Sequence, residues 1–308
     1  MSLGISAIGY YVPENKSSNL DKKQKFNIDD LFLQNKIGTN YTARKGDEQE
    51  TSDLCLNAFI NLCTLRKINK GEIDCIVVVT QNPDGDGLPH TSAILHSKLE
   101  LNENCAAFDI SLGCSGFVYG LSVIISFMAS NGFRNGILFT ADPYSKIVDP
   151  EDKNTSLLFG DAATATLISN DAIFKPLHFK FGTKGSDGEA LISREGVLIM
   201  DGRAVFNFSA TKVPVQIHEL LNEIDYSMDD IDVWLFHQGS KYIVDTLTRK
   251  LSINPEKVPV NISGIGNTVS SSIPLLLKDF IDKKEVKKIL ISGFGVGLSW
   301  SSSVLERI

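Results

Sequence analysis

The chain repeats itself. Four stretches recur in the same order about half a chain apart: EIDCIVVVT with DIDVWLFHQ, HSKLELNEN with TRKLSINPE, FDISLGCSG with VNISGIGNT, and NGILFTAD with KKILISGF. One such pair arises by chance, whereas four in order mark a duplicated unit. Strand-like apolar runs alternate with helical patterns along both copies, the signature of an α/β fold. EIDCIVVVT (Glu72–Thr80) reads as a buried strand. The stretch before it, Ser52 to Ile68, carries Leu54, Ala58, Leu62 and Leu65 at helical spacing. Further strands are expected at Ala106–Asp109, Gly136–Thr140, Ala163–Ile168, Val233–Phe236, Lys288–Ser292 and Ser301–Leu305. The repeat divides the chain into residues 1–169 and residues 170–308, each of ordinary domain size. No Pro/Gly/Ser linker marks the join, so one intimate body with a pseudo-twofold axis is expected.

The duplication singles out one cysteine. Laying FDISLGCSG over VNISGIGNT sets Cys114 at the Gly266–Asn267 step. His237 closes the strand that corresponds to the one ending near Val79. Cys, His and Asn thus all fall at strand ends of related halves, where ligands of open α/β sheets gather. The run FVYGLSVIISFMAS after Gly116 is apolar nearly all round and reads as a buried helix. Cys114 then lies at its N-terminus, where free N–H groups and the macrodipole favour an anion. Such a place is expected to lower a thiol pKa and make a thiolate nucleophile.

Taken singly, each residue has a plainer reading. Free cysteine is usually a buried, inert apolar residue, and Cys55, Cys63, Cys75 and Cys105 are read that way. A histidine after a strand is more often a structural hydrogen-bonder, the reading kept for His90, His96, His178 and His218. Asn267 alone would be a helix cap. Together, at corresponding strand ends, Cys114, His237 and Asn267 suggest thioester chemistry, with His and Asn donating to an enolate oxygen.

A net charge of −7 argues against nucleic acid as a main partner. No apolar run approaches the roughly 20 residues of a membrane span. The opening MSLGISAIGYYVPENK lacks a basic region and a cleavage site, so no leader is expected. Five cysteines without a metal spacing suggest a reducing, cytoplasmic setting and no metal. GFGVGLSW is followed by a strand pattern, so it reads as a tight loop exposing a backbone N–H, not a dinucleotide fingerprint. Gly160-Asp161 in FGDAATATLI reads as a structural turn.

The ordered set ISAIGYYVPENK, FDISLGCSGFVYGL, DPEDKNTSLLFGDAATATLI, MDGRAVFNF, WLFHQGSKYIVD, GIGNTVSSSIPLLL and FGVGLSWSSSVL resembles the β-ketoacyl-[acyl carrier protein] synthase III family nearly end to end. The resemblance implies a thiolase fold, five-layered αβαβα, in a homodimer. It also implies fatty-acid initiation or a specialised acyl pathway, run by a ping-pong mechanism. Cys114 would take an acyl group from an acyl-CoA thioester. His237 and Asn267 would stabilise the enolate formed when malonyl-acyl carrier protein loses carbon dioxide. The backbone N–H groups of Cys114 and Gly297 would form the oxyanion hole, with Phe206 beside the three. No cofactor is implied, coenzyme A being part of a substrate.

Departures from the family pattern concern the substrate. Phe32 stands for the adenine-stacking tryptophan, and Lys153 for its partner arginine, although lysine lacks a planar guanidinium. Lys36 and Arg203 keep positive charge near the expected phosphates. Tyr242 replaces an arginine expected to help dock the carrier protein. Leu88 replaces the phenylalanine that closes the partner subunit's acyl pocket, which would admit a longer or branched chain. Gln81 stands where a hydroxymethylglutaryl-CoA-synthase-like enzyme would place a glutamate base, and an amide cannot act as one. Two alternatives use the same fold: a non-decarboxylating acyltransferase, and a non-catalytic partner subunit, which would be expected to lose the nucleophile.

Overall fold

The computed structural model describes residues 3–308; Met1 and Ser2, part of the opening stretch read for a leader, lie outside the described residues. Nine strands form one sheet-like array: β1 (Gly4–Tyr11), β2 (Cys75–Val79), β3 (Ala106–Ile110), β4 (Asn135–Ala141), β5 (Ala163–Ser169), β6 (Phe174–Thr183), β7 (Val233–Phe236), β8 (Lys288–Gly295) and β9 (Ser299–Arg307). Their spatial order is β7-β8-β9-β6-β1-β5-β4-β2-β3. The array divides naturally in the middle, because β1 meets β6 at the single pairing of Ile5 with Phe174. On one side β2 runs parallel to β3 and β4, while β5 is antiparallel to β4 and β1. On the other, β7 is parallel to β8, and β9 is antiparallel to β8 and β6. The parallel centre and antiparallel flank are thus repeated.

Period-2 alternation of side chains sorts each strand's residues into different layers. Cys75, Val77 and Val79 of β2 face inward, with Val233, Leu235, Ile289 and Ile291 of the second half. Between them lie α3 (Gly116–Asn131), through Phe117, Leu121 and Ile124, and α6 (Ser272–Leu277), through Ile273 and Leu276. Ile76 and Val78 face outward onto α1 (Thr51–Leu65) and α2 (Thr91–Leu99). Trp234, Phe236 and Leu290 face the opposite exterior, under α4 (Gly202–Glu223) and α5 (Lys241–Lys250). The layers therefore run helix, strand, helix, strand, helix. The near-continuous apolar runs of β2 and β7 follow from burial on both faces.

Every strand expected from the sequence forms, with ends moved by a few residues, and the helix expected at Ser52–Ile68 spans Thr51–Leu65. One expectation does not hold. Asn267 does not follow a regular strand, so the counterpart of β3 is missing from the sheet. Its backbone groups are used elsewhere: Asn40 N–H donates to Ser263 O, Ala43 N–H to Ile265 O, and Gly160 N–H to Asn267 O at 2.9 Å. Asn267 N–H donates in turn to Leu158 O at 2.7 Å. The segment is thus sewn laterally to the turn at residues 158–160 instead of to β7.

Gly160-Asp161, read as a structural turn, is the pin of this arrangement. Asp161 is fully buried and accepts from Lys45 N–H and Ser145 N–H. A Cβ at Gly160 would collide with the Ile265 carbonyl. Gly160→Ala is expected to lower stability by about 2 kcal/mol through that overpacking, read as a drop in Tm, and to reduce activity as the Asn267 loop shifts. An unchanged Tm would contradict the pinning role.

Candidate active site

A cavity of about 310 Å³ opens at the carboxyl ends of β7 and β8. Cys114, His237 and Asn267 all line it, so the structure brings together the three residues singled out by the duplication. Cys114 precedes Ser115, the cap of α3, as expected. Glycines make room around it: a Cβ at Gly295 would lie 2.7 Å from both Cβ and Sγ of Cys114. His237 leaves β7 with its N–H donated to Ser292 O at 2.9 Å, and its Nδ1 lies 2.8 Å from Ser272 Oγ. Its ring meets Phe294 edge-on, with centroids 5.6 Å apart. Val269 N–H donates to Asn267 Oδ1 at 2.9 Å. That bond fixes the amide's orientation and leaves its NH₂ as the donor available to the cavity.

Burial dominates the electrostatics. It pushes the Cys114 thiol up to about 12, against the opposing hydrogen bond from Val296 N–H, while Asp142 raises it further. The sequence-based expectation of a lowered thiol pKa is therefore reversed: desolvation outweighs the helix terminus in the free protein. Cys75 reaches about 12 and Cys105 about 11 for the same first reason. What distinguishes Cys114 is its place in the cavity. Burial likewise pushes His237 down to about 3, with the Val269 backbone pulling the other way, so the imidazole is neutral throughout the physiological range. The resting pair is thiol and neutral imidazole.

The backbone N–H at the sulfur belongs to Val296, one residue before Gly297. Gly297 sits at φ 73° in the turn Val296–Leu298 and does not line the cavity. The tight loop expected from the sequence forms, and the N–H it turns toward the sulfur is that of Val296. Sequence reasoning also missed the buried network behind the thiol. Asp142, raised to about 6 by burial, accepts from Gln81 N–H at 2.7 Å and Ser270 Oγ–H at 2.5 Å. Tyr144 O–H donates to Gln81 Oε1 at 3.2 Å, so Gln81 is a hydrogen-bonding amide built into the wall.

Phe32, Lys36, Lys153 and Phe206 line the cavity as well. Lys153 Nζ sits 4.8 Å above the Phe32 ring, and Lys36 Nζ 3.4 Å above that of Tyr242. Tyr242 stacks on Phe206 with centroids 4.9 Å apart. The two lysines are the charged residues of the lining, so the cavity is apolar with cations. Arg203 and Leu88 are not in the lining. Arg203 is exposed in the first turn of α4, and Leu88 is 93% exposed on the loop between β2 and α2. His96 and His178 make outlying hydrogen bonds, to Asn102 O and Glu223. No group of three or more His, Cys, Asp or Glu side chains able to hold a metal occurs among the described residues.

Residues 108–185 match the family model of 3-oxoacyl-[acyl-carrier-protein] synthase III, and residues 221–307 match that of its C-terminal region. The chain is 32% identical to a β-ketoacyl-[acyl-carrier-protein] synthase III of Streptococcus mutans and 33% identical to one of Streptococcus pyogenes. Each match spans 98% of this chain and 98% of the relative. The backbone is similar to the solved 3-oxoacyl-(acyl-carrier protein) synthase of Burkholderia xenovorans, with a TM-score of 0.92 and 30% identity over 100% of this chain and 94% of that one.

A thiol near 12 predicts how Cys114 meets a small alkylating reagent. Its carboxamidomethylation, followed by peptide mass mapping, is expected to keep accelerating as pH rises past 9. A rate that levels off below pH 8 would show that the helix terminus prevails over burial.

Proposed function

The chain belongs to the 3-oxoacyl-[acyl-carrier-protein] synthase III family and is a thiolase-fold condensing enzyme, an acyltransferase of fatty-acid biosynthesis; on that premise we propose that Cys114 is its nucleophile and that His237 and Asn267 are its enolate-stabilising donors. Cys114 Sγ attacks the carbonyl of an acyl-CoA, the bond to the coenzyme's sulfur breaks, and the thiol proton leaves with it as free coenzyme A. A malonyl group on an acyl carrier protein then loses carbon dioxide, and the electron pair of the broken bond passes into an enolate. The enolate carbon attacks the acyl carbon, Cys114 departs as thiolate, and a proton from solvent restores the thiol. Donors already oriented in a dry cavity cost no reorganisation as the oxyanion forms. Cys114 N–H and Val296 N–H are the oxyanion donors in this reading, Val296 replacing Gly297.

The observation that carries the reading is the locked Asn267 amide. Plain acyl transfer from Cys114 has no use for a second donor fixed beside an imidazole, whereas an enolate oxygen does. Gln81, held by Tyr144 and Asp142, supports the absence of a general base there. Lys36 and Lys153 are suited to the phosphates of the incoming arm, with Phe32 and Phe206 as its apolar walls and Arg203 outside. No cofactor enters this scheme, coenzyme A arriving as part of a substrate.

The same proposal includes a homodimer, a division at residues 1–169 and 170–308, and a reducing, cytoplasmic setting. The exposed Leu88 supports the first, since a large apolar side chain at a loop tip is suited to burial in a partner subunit. The single Ile5–Phe174 pairing between the two half-sheets supports the second. Five free cysteines accord with the third. No helix among the described residues is long and apolar enough to cross a membrane.

The test is carbon dioxide release from labelled malonyl carrier protein after loading with acyl-CoA. His237→Ala and Asn267→Ala are each expected to lose about 100-fold in release while Cys114 still acylates. Acylation with no release by the unaltered protein, together with transfer to an alcohol or amine, would replace condensation by simple acyl transfer. Leu88→Phe should shift acyl preference toward shorter chains; an unchanged profile across a chain-length series would remove Leu88 from the acyl pocket.

A further inference from the structure

Between Asn267 and α6 the chain makes a turn that its residues do not favour. Val269 is fully buried at φ 53°, in the left-handed region. Among the described residues it is the only β-branched side chain at positive φ. Its Cβ crowds the adjoining peptide there, so the conformation persists only where neighbours impose it. Both polar groups of the strained residue are used at the site. Val269 N–H donates to Asn267 Oδ1 at 2.9 Å, and the Val269 carbonyl accepts from Ser272 Oγ–H at 3.0 Å. A valine relaxed to negative φ could not aim both groups at these partners together.

What imposes the turn lies on either side of it. Before the valine, Asn267 is bonded through its backbone to Leu158 and Gly160. After it, Ser270 gives its hydroxyl proton to Asp142 at 2.5 Å and its N–H to the same carboxylate. Asp142 follows β4 and is fully buried. It also accepts from Gln81 N–H at 2.7 Å and from the Thr80 hydroxyl, so it ties the ends of β2 and β4 to the turn. Ser271 adds hydroxyl contacts to Thr140 and Ala162, all between neutral groups. Bonds to a charged acceptor are the stronger class, which makes Asp142 the firmer of the two anchors.

We propose that Asp142 is a positioning residue that, through Ser270, holds Val269 in its left-handed conformation and so keeps the Asn267 amide turned toward the cavity. The inference rests on the condensation reading and adds to it the part that carries the strain. Asp142 touches no substrate; it acts through Ser270 and Val269 on Asn267.

Two measurements test it. An amide at position 142 has the same shape but one acceptor oxygen for the four donors. Asp142→Asn is therefore expected to slow carbon dioxide release by about tenfold. Acylation of Cys114 by acyl-CoA should stay within about twofold, because that half-reaction does not use the Asn267 donor. Glycine adopts positive φ without penalty, so in a Val269→Gly background Asp142→Asn should cost about twofold or less in release. An equal cost in both backgrounds overturns the proposal, as does an equal loss of both half-reactions. If Asp142→Asn fails to fold, Ser270→Ala, which removes only the hydroxyl tie, takes its place in the same cycle. In crystals, Val269 of Asp142→Asn is expected to leave the left-handed region and release Asn267 Oδ1; an unchanged turn there also overturns the proposal. Acylation without any carbon dioxide release by the unaltered protein sinks the condensation reading instead, and the crystals still report whether Asp142 holds the turn.

Discussion

The site depends on how closely β8 of the second half approaches the first turn of α3 from the first half. A Cβ at Gly293 would lie 2.7 Å from the Cys114 carbonyl oxygen and 2.9 Å from Ser115 Cα, and one at Gly295 would reach the thiol itself. Two glycines at alternate positions of one strand therefore let the halves touch where Cys114 sits. Ser301 Oγ donates to Ser115 O at 3.1 Å, and Ser115 and Ser299 share a 2.7 Å hydroxyl contact, so the approach is also hydrogen-bonded. Once α3 is fixed there, Cys114, His237 and Asn267 arrive on three separate segments, His237 held by its N–H to Ser292 O and Asn267 by its N–H to Leu158 O. A rigid constellation of this kind is what an oxyanion needs.

Desolvation then sets the chemistry. The same burial raises the thiol, lowers the imidazole and raises Asp142, so all three shift toward their neutral forms. The linkage signs differ. His237, held at about 3 against an unfolded value near 6.5, costs stability as pH falls through that interval. Asp142, at about 6 against 3.8, costs stability as pH rises through its own. Cys114, at about 12 against 9, costs stability as pH climbs past 9. Charge is thus expensive in this cavity until a substrate brings the carbonyl that turns it into stabilised oxyanion. In the proposed mechanism His237 and Asn267 meet that oxyanion as donors.

Much of this was legible in the residues. The order of strands and helices, the duplication and the three cavity residues follow from apolar periodicity and from four repeated stretches. The layers were readable through the resemblance, and the alternation of Ile76 and Val78 against Val77 and Val79 shows why they form. Other features were not readable because they arise from contacts distant in sequence. The lost strand before Asn267 reflects lateral bonds to residues 40–43 and 158–160, which no local pattern announces. The thiol's raised pKa comes from tertiary burial that a helix-terminus argument leaves out. Val296 in place of Gly297 is a matter of one residue in a turn, below the grain of motif reading. Ser272 lay in plain sight in NTVSSSIPLLL, where three adjacent serines looked alike until the fold turned one toward His237.

The central claim is that Cys114 becomes an acyl thioester before any carbon–carbon bond forms. Intact-mass and peptide mapping after incubation with a panel of acyl-CoA donors tests it most directly. The account predicts an adduct of acyl mass on the Cys114 peptide, absent in Cys114→Ala and discharged by malonyl carrier protein as a β-ketoacyl product. An adduct confined to another cysteine, or none with any donor, would contradict it.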